Sequence, residues 1–241
     1  MLSPQGGNRK KKGADLLIAA NKKRISAIIL CLALAAVFLM GAVAGRVSLD
    51  GRETYSNAAE AVFYIRALNE EGKLKTSGSG FAVTKSGISI TAAHVVKGAA
   101  AVHAVMPSGE EVALEVLEVN NLTDIAVVKL PAKSGGYRYI PLEKDSAEYG
   151  ERAYAIGYPL KTAKIISDGI VSSPGAVING VDRLLVSVDL ASGMSGGPVI
   201  CERGTVIGMS SATLRTMNGV SASPTTAQLR AAVDRYTLGS K

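Results

Sequence analysis

Gly193-Met194-Ser195-Gly196-Gly197-Pro198 is the stretch on which the reading of this chain turns. A serine with glycine two residues away on either side fits the sharp strand-to-helix elbow that exposes a nucleophilic hydroxyl in one large class of α/β enzymes. It fits equally a backbone turn that aims two N–H groups at one point. Chain order separates the two. Elbow enzymes run serine, then acid, then histidine, whereas both histidines of this chain, His94 and His103, precede Ser195. The α/β reading fails, and the order histidine, aspartate, serine remains.

Two further segments supply that order: Thr91-Ala92-Ala93-His94-Val95-Val96 and Leu122-Thr123-Asp124-Ile125-Ala126-Val127. A serine hydroxyl is a weak nucleophile until a base takes its proton. A neutral imidazole is such a base, and a carboxylate beside it holds the tautomer and steadies the imidazolium. His94, Asp124 and Ser195 are therefore the candidate catalytic residues. Gly193 lets the backbone turn so that its own N–H and that of Ser195 converge as an oxyanion hole, where losing one donor costs about 100- to 1,000-fold. His103, inside AAAVHAVMP, reads as an ordinary strand residue. Asp145 is the next acid candidate, and a turn or cap role for Asp124 stays open.

Around these segments lie short apolar runs broken by Gly, Pro, Ser and Asn, at 61–68, 79–84, 88–91, 111–119, 124–130, 152–157, 183–190, 197–200 and 204–214. Val112, Leu114 and Val116 recur at every second position, the period of a strand. Many short strands without helical periods between them indicate an all-β sandwich or barrel. One helix is expected at the end, with Ser223 as cap, Pro224 at its first position, and Leu229, Ala232, Val233 and Tyr236 on one face. It is expected to pack on the barrel as a lid. Cys201 directly follows an apolar strand and reads as a small buried hydrophobe.

The net charge of +7 belongs wholly to residues 1–46, which hold eight Lys and Arg against Asp15; the rest of the chain balances. A nucleic-acid partner needs uncompensated basic clusters on the folded domain, so that class is excluded. Residues 25–45 carry no charge, and a helix of that length spans about 31 Å, enough for the hydrocarbon core. Basic clusters precede it and only Arg46 follows closely, which predicts a cytoplasmic N-terminus at 1–24, a single-pass inner-membrane anchor at 25–45 and an exported remainder. Ala42-Val43-Ala44 also fits a small-x-small cleavage site, so secretion after cleavage near Ala44 is the alternative. A polar tether is expected at 46–57 and the folded domain at 58–241. Cys31 lies in the apolar span and Cys201 beyond it, so no disulfide joins them.

The exported part resembles the HtrA/Deg branch of trypsin-like serine proteases. The resemblance rests on Ser77-Gly78-Ser79-Gly80-Phe81, then Ile90-Thr91-Ala92-Ala93-His94-Val95-Val96-Lys97-Gly98, and Thr123-Asp124-Ile125-Ala126. Gly150, Ala155-Ile156-Gly157-Tyr158-Pro159 and Ser167-Asp168-Gly169-Ile170-Val171-Ser172-Ser173 extend it across about 58–236. It implies two six-stranded antiparallel β-barrels, chymotrypsin-like, with the active site in the cleft between them. Family members usually carry a C-terminal PDZ domain; none follows in this sequence, so PDZ-driven caging is not carried over. Met194 stands where digestive relatives have an aspartate that pairs with a freshly cut N-terminus, so activation by N-terminal insertion has no partner. Asp189 occupies the place where trypsin-like enzymes put a carboxylate at the base of the S1 pocket, implying Lys or Arg preference. Leu190 resembles the apolar residue of HtrA pockets that admit aliphatic side chains. A strand-end role for Asp189 is the third reading. No metal or cofactor motif occurs. The expected function is a membrane-anchored serine endopeptidase acting on exported or membrane-proximal proteins; the rival is a protease-fold peptide-binding or sensor module. The sequence leaves the oligomeric state open.

Overall fold

Fourteen short strands, none separated from the next by more than one turn of helix or a loop, leave hydrogen-bonding edges that only pairing can satisfy. In the computed structural model, which describes residues 49–161, 163–214 and 217–237, they pair into two antiparallel sheets. The first holds β1 (Val62–Leu68), β2 (Leu74–Ala82), β3 (Ile88–Ala92), β4 (Ala101–Val105), β5 (Glu111–Ala113), β6 (Glu115–Asn120) and β7 (Ile125–Lys129), in the order β5-β4-β1-β2-β3-β7-β6. The second holds β8 (Arg152–Leu160), β9 (Ala163–Ile178), β10 (Val181–Val186), β11 (Pro198–Cys201), β12 (Val206–Met209), β13 (Ala212–Thr213) and β14 (Ser221–Ser223), in the order β12-β11-β8-β9-β10-β14-β13.

Each sheet thus has seven strands where six were expected. The extra member is a broken strand. The two edges of the first sheet, β5 and β6, are separated in the chain by Leu114 alone, and those of the second, β12 and β13, by Ser210 and Ser211. One interrupted stretch therefore pairs at both edges, which closes each sheet into a circuit of six strands. The break also resets the side-chain phase. Leu114 is buried, but Val116, expected on the same face, is 40% exposed.

β3 is buried along its whole length, as are most of β1, β7 and β8. Such runs mark strands covered on both faces, which is why their sequences read as continuous apolar segments rather than alternation. Phe63, Ile65, Phe81 and Ile90 lie in one core cluster, which continues through Ile156, Tyr158 and Ile200 of the second sheet. Val186, Met194, Val199 and Ile207 lie in the other.

The tether expected at 46–57 is helical in its described part: α1 spans Gly51–Ala58. Asp50 accepts from the Glu53 N–H at 2.8 Å while the Glu53 carboxylate accepts from the Asp50 N–H at 3.2 Å, a reciprocal capping box. Thr54 and Ala58, one turn apart and both small, are buried beneath it, and the Leu49 N–H bonds the Glu202 carbonyl at 2.7 Å. The chain at 49–58 is thereby docked, not free. A one-turn helix, α2 (Ala93–Val96), follows β3, and α3 spans Thr226–Thr237. Leu229, Ala232 and Val233 of α3 are buried as expected, but Ser223 lies in β14 and the cap is Thr225, paired with Gln228. The segments 1–24 and 25–45, with Cys31 and Ala44, lie outside the described residues; among the described residues no helix is long and apolar enough to cross a membrane.

Candidate active site

α2 is a single turn, too short to persist unaided, and it is pinned by Val95 and Val96, both buried in the first core. That leaves His94, which precedes them, on the exposed side, half open to solvent. Asp124 sits at the end of the 121–124 turn, just before β7. The Asn120 side chain builds that turn by accepting from the N–H groups of Leu122 and Thr123 at 3.0 and 3.1 Å. Asp124 itself has φ of +62°, in the left-handed region. In exchange for this strain it faces α2 with three groups. Its carbonyl accepts from the Ala93 N–H at 3.1 Å, and its carboxylate accepts from the His94 N–H at 3.0 Å and from His94 Nδ1 at 2.9 Å.

Two residues of the second barrel complete the aspartate's surroundings, and neither was singled out from sequence. Ser211, in the break between β12 and β13, donates its hydroxyl to Asp124 Oδ2 at 2.5 Å. Arg183 of β10 donates to the carbonyls of Thr123 at 2.8 Å and Leu122 at 3.0 Å. Burial pushes the Asp124 carboxyl upward, but the bonds from His94 and Ser211 outweigh it, and its pKa falls below the ordinary value. The bond to Asp124 raises the His94 pKa above the ordinary value against the opposing effect of burial. With Nδ1–H donated to the carboxylate, Nε2 is left as the basic nitrogen.

Ser195 enters from the second barrel on the turn before β11. Its carbonyl accepts from the Ser79 N–H of β2 at 2.8 Å. A Cβ built on Gly78 would lie 2.7 Å from the Val95 side chain and 2.8 Å from the Ser195 carbonyl. The helix carrying His94 and the turn carrying Ser195 therefore meet over one glycine. Among the described residues the Ser195 hydroxyl makes no hydrogen bond, so base and nucleophile are adjacent by backbone without a closed bond; such contacts commonly tighten on binding substrate. Gly193 has φ of +95°, and a side chain there would collide with the Tyr158 carbonyl at 2.5 Å, so only glycine fits. The N–H groups of Gly193 and Ser195 have no acceptor among the described residues. Met194 between them is fully buried in the second core, its sulfur 3.5 Å from the Ala191 N–H.

The other candidates fall elsewhere. The Asp189 side chain is exposed and its carboxylate has no partner among the described residues, while its carbonyl accepts from the Ser167 hydroxyl at 2.7 Å. Leu190 is half-buried against the second core. His103 lies on β4, its Nδ1 3.2 Å from Glu111, in a ladder position between Arg66 and Ala113. Asp145 is exposed, on the rim of a cleft of about 600 Å³ between the second sheet and α3. Cys201 is fully buried, and burial raises its thiol pKa. Among the described residues no group of three or more His, Cys, Asp or Glu could hold a metal ion.

Comparison with known proteins agrees with this fold of two antiparallel sheets and a C-terminal helix. Residues 78–209, more than half the chain, match the model of the trypsin-like peptidase domain. The chain belongs to that family. Its relatives are of the HtrA/Deg kind. The Synechocystis sequence that bears the serine-protease name HhoB is 33% identical over 155 residues, covering 60% of this chain and 36% of that protein. The DegP-like sequence of Rhizobium meliloti, described as a probable periplasmic serine endoprotease, is 30% identical over 155 residues, 62% of this chain and 31% of that one. The chain thus spans about a third of the length of these relatives. In fold it is similar to the crystal structure of a serine endoprotease from Yersinia pestis, with a TM-score of 0.67 at 24% identity, covering 76% of this chain and 64% of the other.

Proposed function

We propose that the chain is a serine endopeptidase in which His94, Asp124 and Ser195 form the catalytic triad. The observation that carries this reading is the His94–Asp124 pair, Nδ1 to Oδ2 at 2.9 Å, on a helix packed against the turn that bears Ser195. In the acylation step Ser195 Oγ attacks the scissile carbonyl carbon and its proton passes to His94 Nε2. The carbonyl oxygen becomes an oxyanion facing the N–H groups of Gly193 and Ser195. The imidazolium, steadied by Asp124, then gives its proton to the leaving amine, and the peptide C–N bond breaks. Water repeats the sequence to release the acyl group. The nucleophile, the base and the two oxyanion donors act together, which is why a single reagent tests all of them.

The substrates we propose are exported or membrane-proximal proteins. A single-pass anchor at residues 25–45, with the peptidase domain outside the cytoplasm, fits the charge asymmetry of residues 1–46 and the periplasmic description of the DegP-like relative. Asp189, exposed and unpaired, is free to meet a Lys or Arg side chain, and Leu190 beside it offers an aliphatic surface.

A fluorophosphonate reports on nucleophile, base and oxyanion hole at once, because it reacts only where all three act. The wild type is expected to be labelled on Ser195, with labelling abolished in Ser195→Ala and strongly reduced in His94→Ala. A folded wild type that takes no label refutes the peptidase reading and leaves a binding or sensor module.

A further inference from the structure

Ser79 belongs to the segment Ser77-Gly78-Ser79-Gly80-Phe81, which carries none of the triad. It stands on β2 in the first barrel and is wholly buried, yet its polar atoms reach the second. Its hydroxyl contacts two backbone groups there: the Tyr158 N–H at 2.9 Å and the Gly193 carbonyl at 2.8 Å. An N–H only donates and a carbonyl only accepts, so the direction is fixed: the hydroxyl accepts from the Tyr158 N–H and donates to the Gly193 carbonyl. Its N–H meanwhile donates to the Ser195 carbonyl at 2.8 Å.

These bonds fall in a chain of ties along the nucleophile turn. The peptide joining Gly193 to Met194 is held at both ends, its carbonyl by Ser79 and its N–H by the Ala191 carbonyl at 3.0 Å. The carbonyl of Met194 accepts from the Gly197 N–H at 2.9 Å. The peptide joining Ser195 to Gly196 is held by Ser79 at one end and by the Ser210 carbonyl, at 2.7 Å, at the other. Within this run the N–H groups left without an acceptor among the described residues are those of Gly193 and Ser195, the two oxyanion donors. Ser79 supplies two of the ties. There is no slack around it, since a Cβ on Gly157 would stand 3.0 Å from its hydroxyl and one on Gly196 would stand 2.2 Å from its carbonyl.

We propose that Ser79 is a positioning residue for the oxyanion hole: from the first barrel it fixes the carbonyls of Gly193 and Ser195 in the second, and so aims the donors between and before them. The inference rests on the peptidase reading above and gives that site its cross-barrel support. Removing the hydroxyl strands the Gly193 carbonyl and frees the Gly193–Met194 peptide to rotate, which misaligns a donor without touching His94 or Asp124.

The test is Ser79→Ala in the full chain, with rates normalised to the concentration of folded protein, checked by circular dichroism. Because the hole acts on the transition state, kcat is expected to fall by about 10- to 100-fold, short of the full loss of a donor, with KM little changed. Affinity for a peptidyl boronate, which mimics the tetrahedral adduct, is expected to fall with kcat, while the acid limb of the pH profile stays in place. Unchanged kcat per folded molecule, or a rise in KM alone, overturns the proposal, as does a lost rate accompanied by a shifted acid limb. If Ser79→Ala fails to fold, Ser79→Cys takes its place, because a thiol, though somewhat larger than the hydroxyl, still fills the site and donates only weakly. Lowered kcat and boronate affinity in that variant support the proposal, and wild-type values overturn it. A wild type that is not labelled at all refutes the peptidase reading itself, which is a separate outcome.

Discussion

Arg183 crosses from one barrel to the other to hold a strained turn, and cutting that hold has a calculable effect. Its two guanidinium nitrogens donate to the carbonyls of Thr123 and Leu122, at 2.8 and 3.0 Å, immediately before Asp124. Asp124, with φ of +62°, occupies a conformation that costs a non-glycine residue about 1–3 kcal/mol. Hydrogen bonds from a charged group contribute about 1.5–3 kcal/mol each, with half-exposed ones at the low end. The two are therefore of the same size as the strain they oppose. Arg183→Ala leaves Ser211 and the α2 bonds to hold the aspartate, and the turn relaxes for part of the time. If about 1.4–2.8 kcal/mol of the opposing free energy is lost from the competent state, kcat/KM falls about 10- to 100-fold.

The assay is kcat/KM against pH for wild type, Arg183→Ala and Arg183→Lys. In the wild type the raised His94 pKa places the acid limb above 6.5, since the base must be neutral to work. Where Asp124 no longer holds the imidazolium, that limb moves down toward the ordinary histidine value of about 6.5. Lysine reaches one carbonyl instead of two and is expected to restore part of the rate. A change in kcat/KM within about twofold, well under 1 kcal/mol, refutes the reasoning. So does a large loss with the acid limb unmoved, which would mean that Asp124 stays in place without Arg183.

Asp124→Asn is expected to lower kcat by about 10,000-fold while leaving the fold intact, because an amide stabilises the wrong imidazole tautomer; kinetics alongside circular dichroism check this. The lowered Asp124 pKa adds stability above the carboxylate range that is lost as pH falls through it, and the raised His94 pKa adds stability that is complete below about 6.5 and fades as pH rises. The difference in urea midpoint between wild type and His94→Ala is therefore expected to be larger at acid pH than at alkaline pH. Arg203 bonds Glu143 at 2.9 Å and Glu151 at 2.5 Å, and with the Thr205 hydroxyl it holds the Glu143 pKa at about 2 despite burial. Arg203→Leu leaves two carboxylates facing each other and is expected to cost about 3–5 kcal/mol at neutral pH by denaturant unfolding, less where the carboxylates are protonated. Asp189→Ala is expected to lower cleavage after Arg relative to Val, measured on matched peptides; an unchanged ratio assigns Asp189 to the strand end.

The sequence was legible wherever a residue answers to its own backbone. Gly193 can be read from a motif because its φ and the nearby Tyr158 carbonyl admit no side chain, and the buried runs of β1, β3 and β7 announce covered strands by composition alone. The α1 helix was misread as a tether because its evidence is a single capping pair, Asp50 and Glu53, in an otherwise polar segment of which only Thr54 and Ala58 are buried. The strand count went astray for a related reason: a break at Leu114 or at Ser210-Ser211 leaves no mark until pairing partners are known. Residues that act across the seam were invisible. Ser211 and Arg183 carry no local signature, since a serine in a strand break and an arginine on a strand are each ordinary, and Ser79 lies in a segment that marks the resemblance without showing what its hydroxyl meets.

Those three residues have one arrangement in common. Ser211 and Arg183 belong to the second barrel and act on the aspartate of the first, while Ser79 belongs to the first and acts on the nucleophile turn of the second. Each half of the site is thus finished by the opposite barrel. Neither barrel alone completes its own share, because the Leu122 and Thr123 carbonyls beside Asp124 would lose Arg183 and the Gly193 carbonyl would lose Ser79. The geometry of catalysis is in this way tied to correct docking of the two barrels. A substitution that loosens the seam is expected to lower activity before it lowers the stability of either barrel.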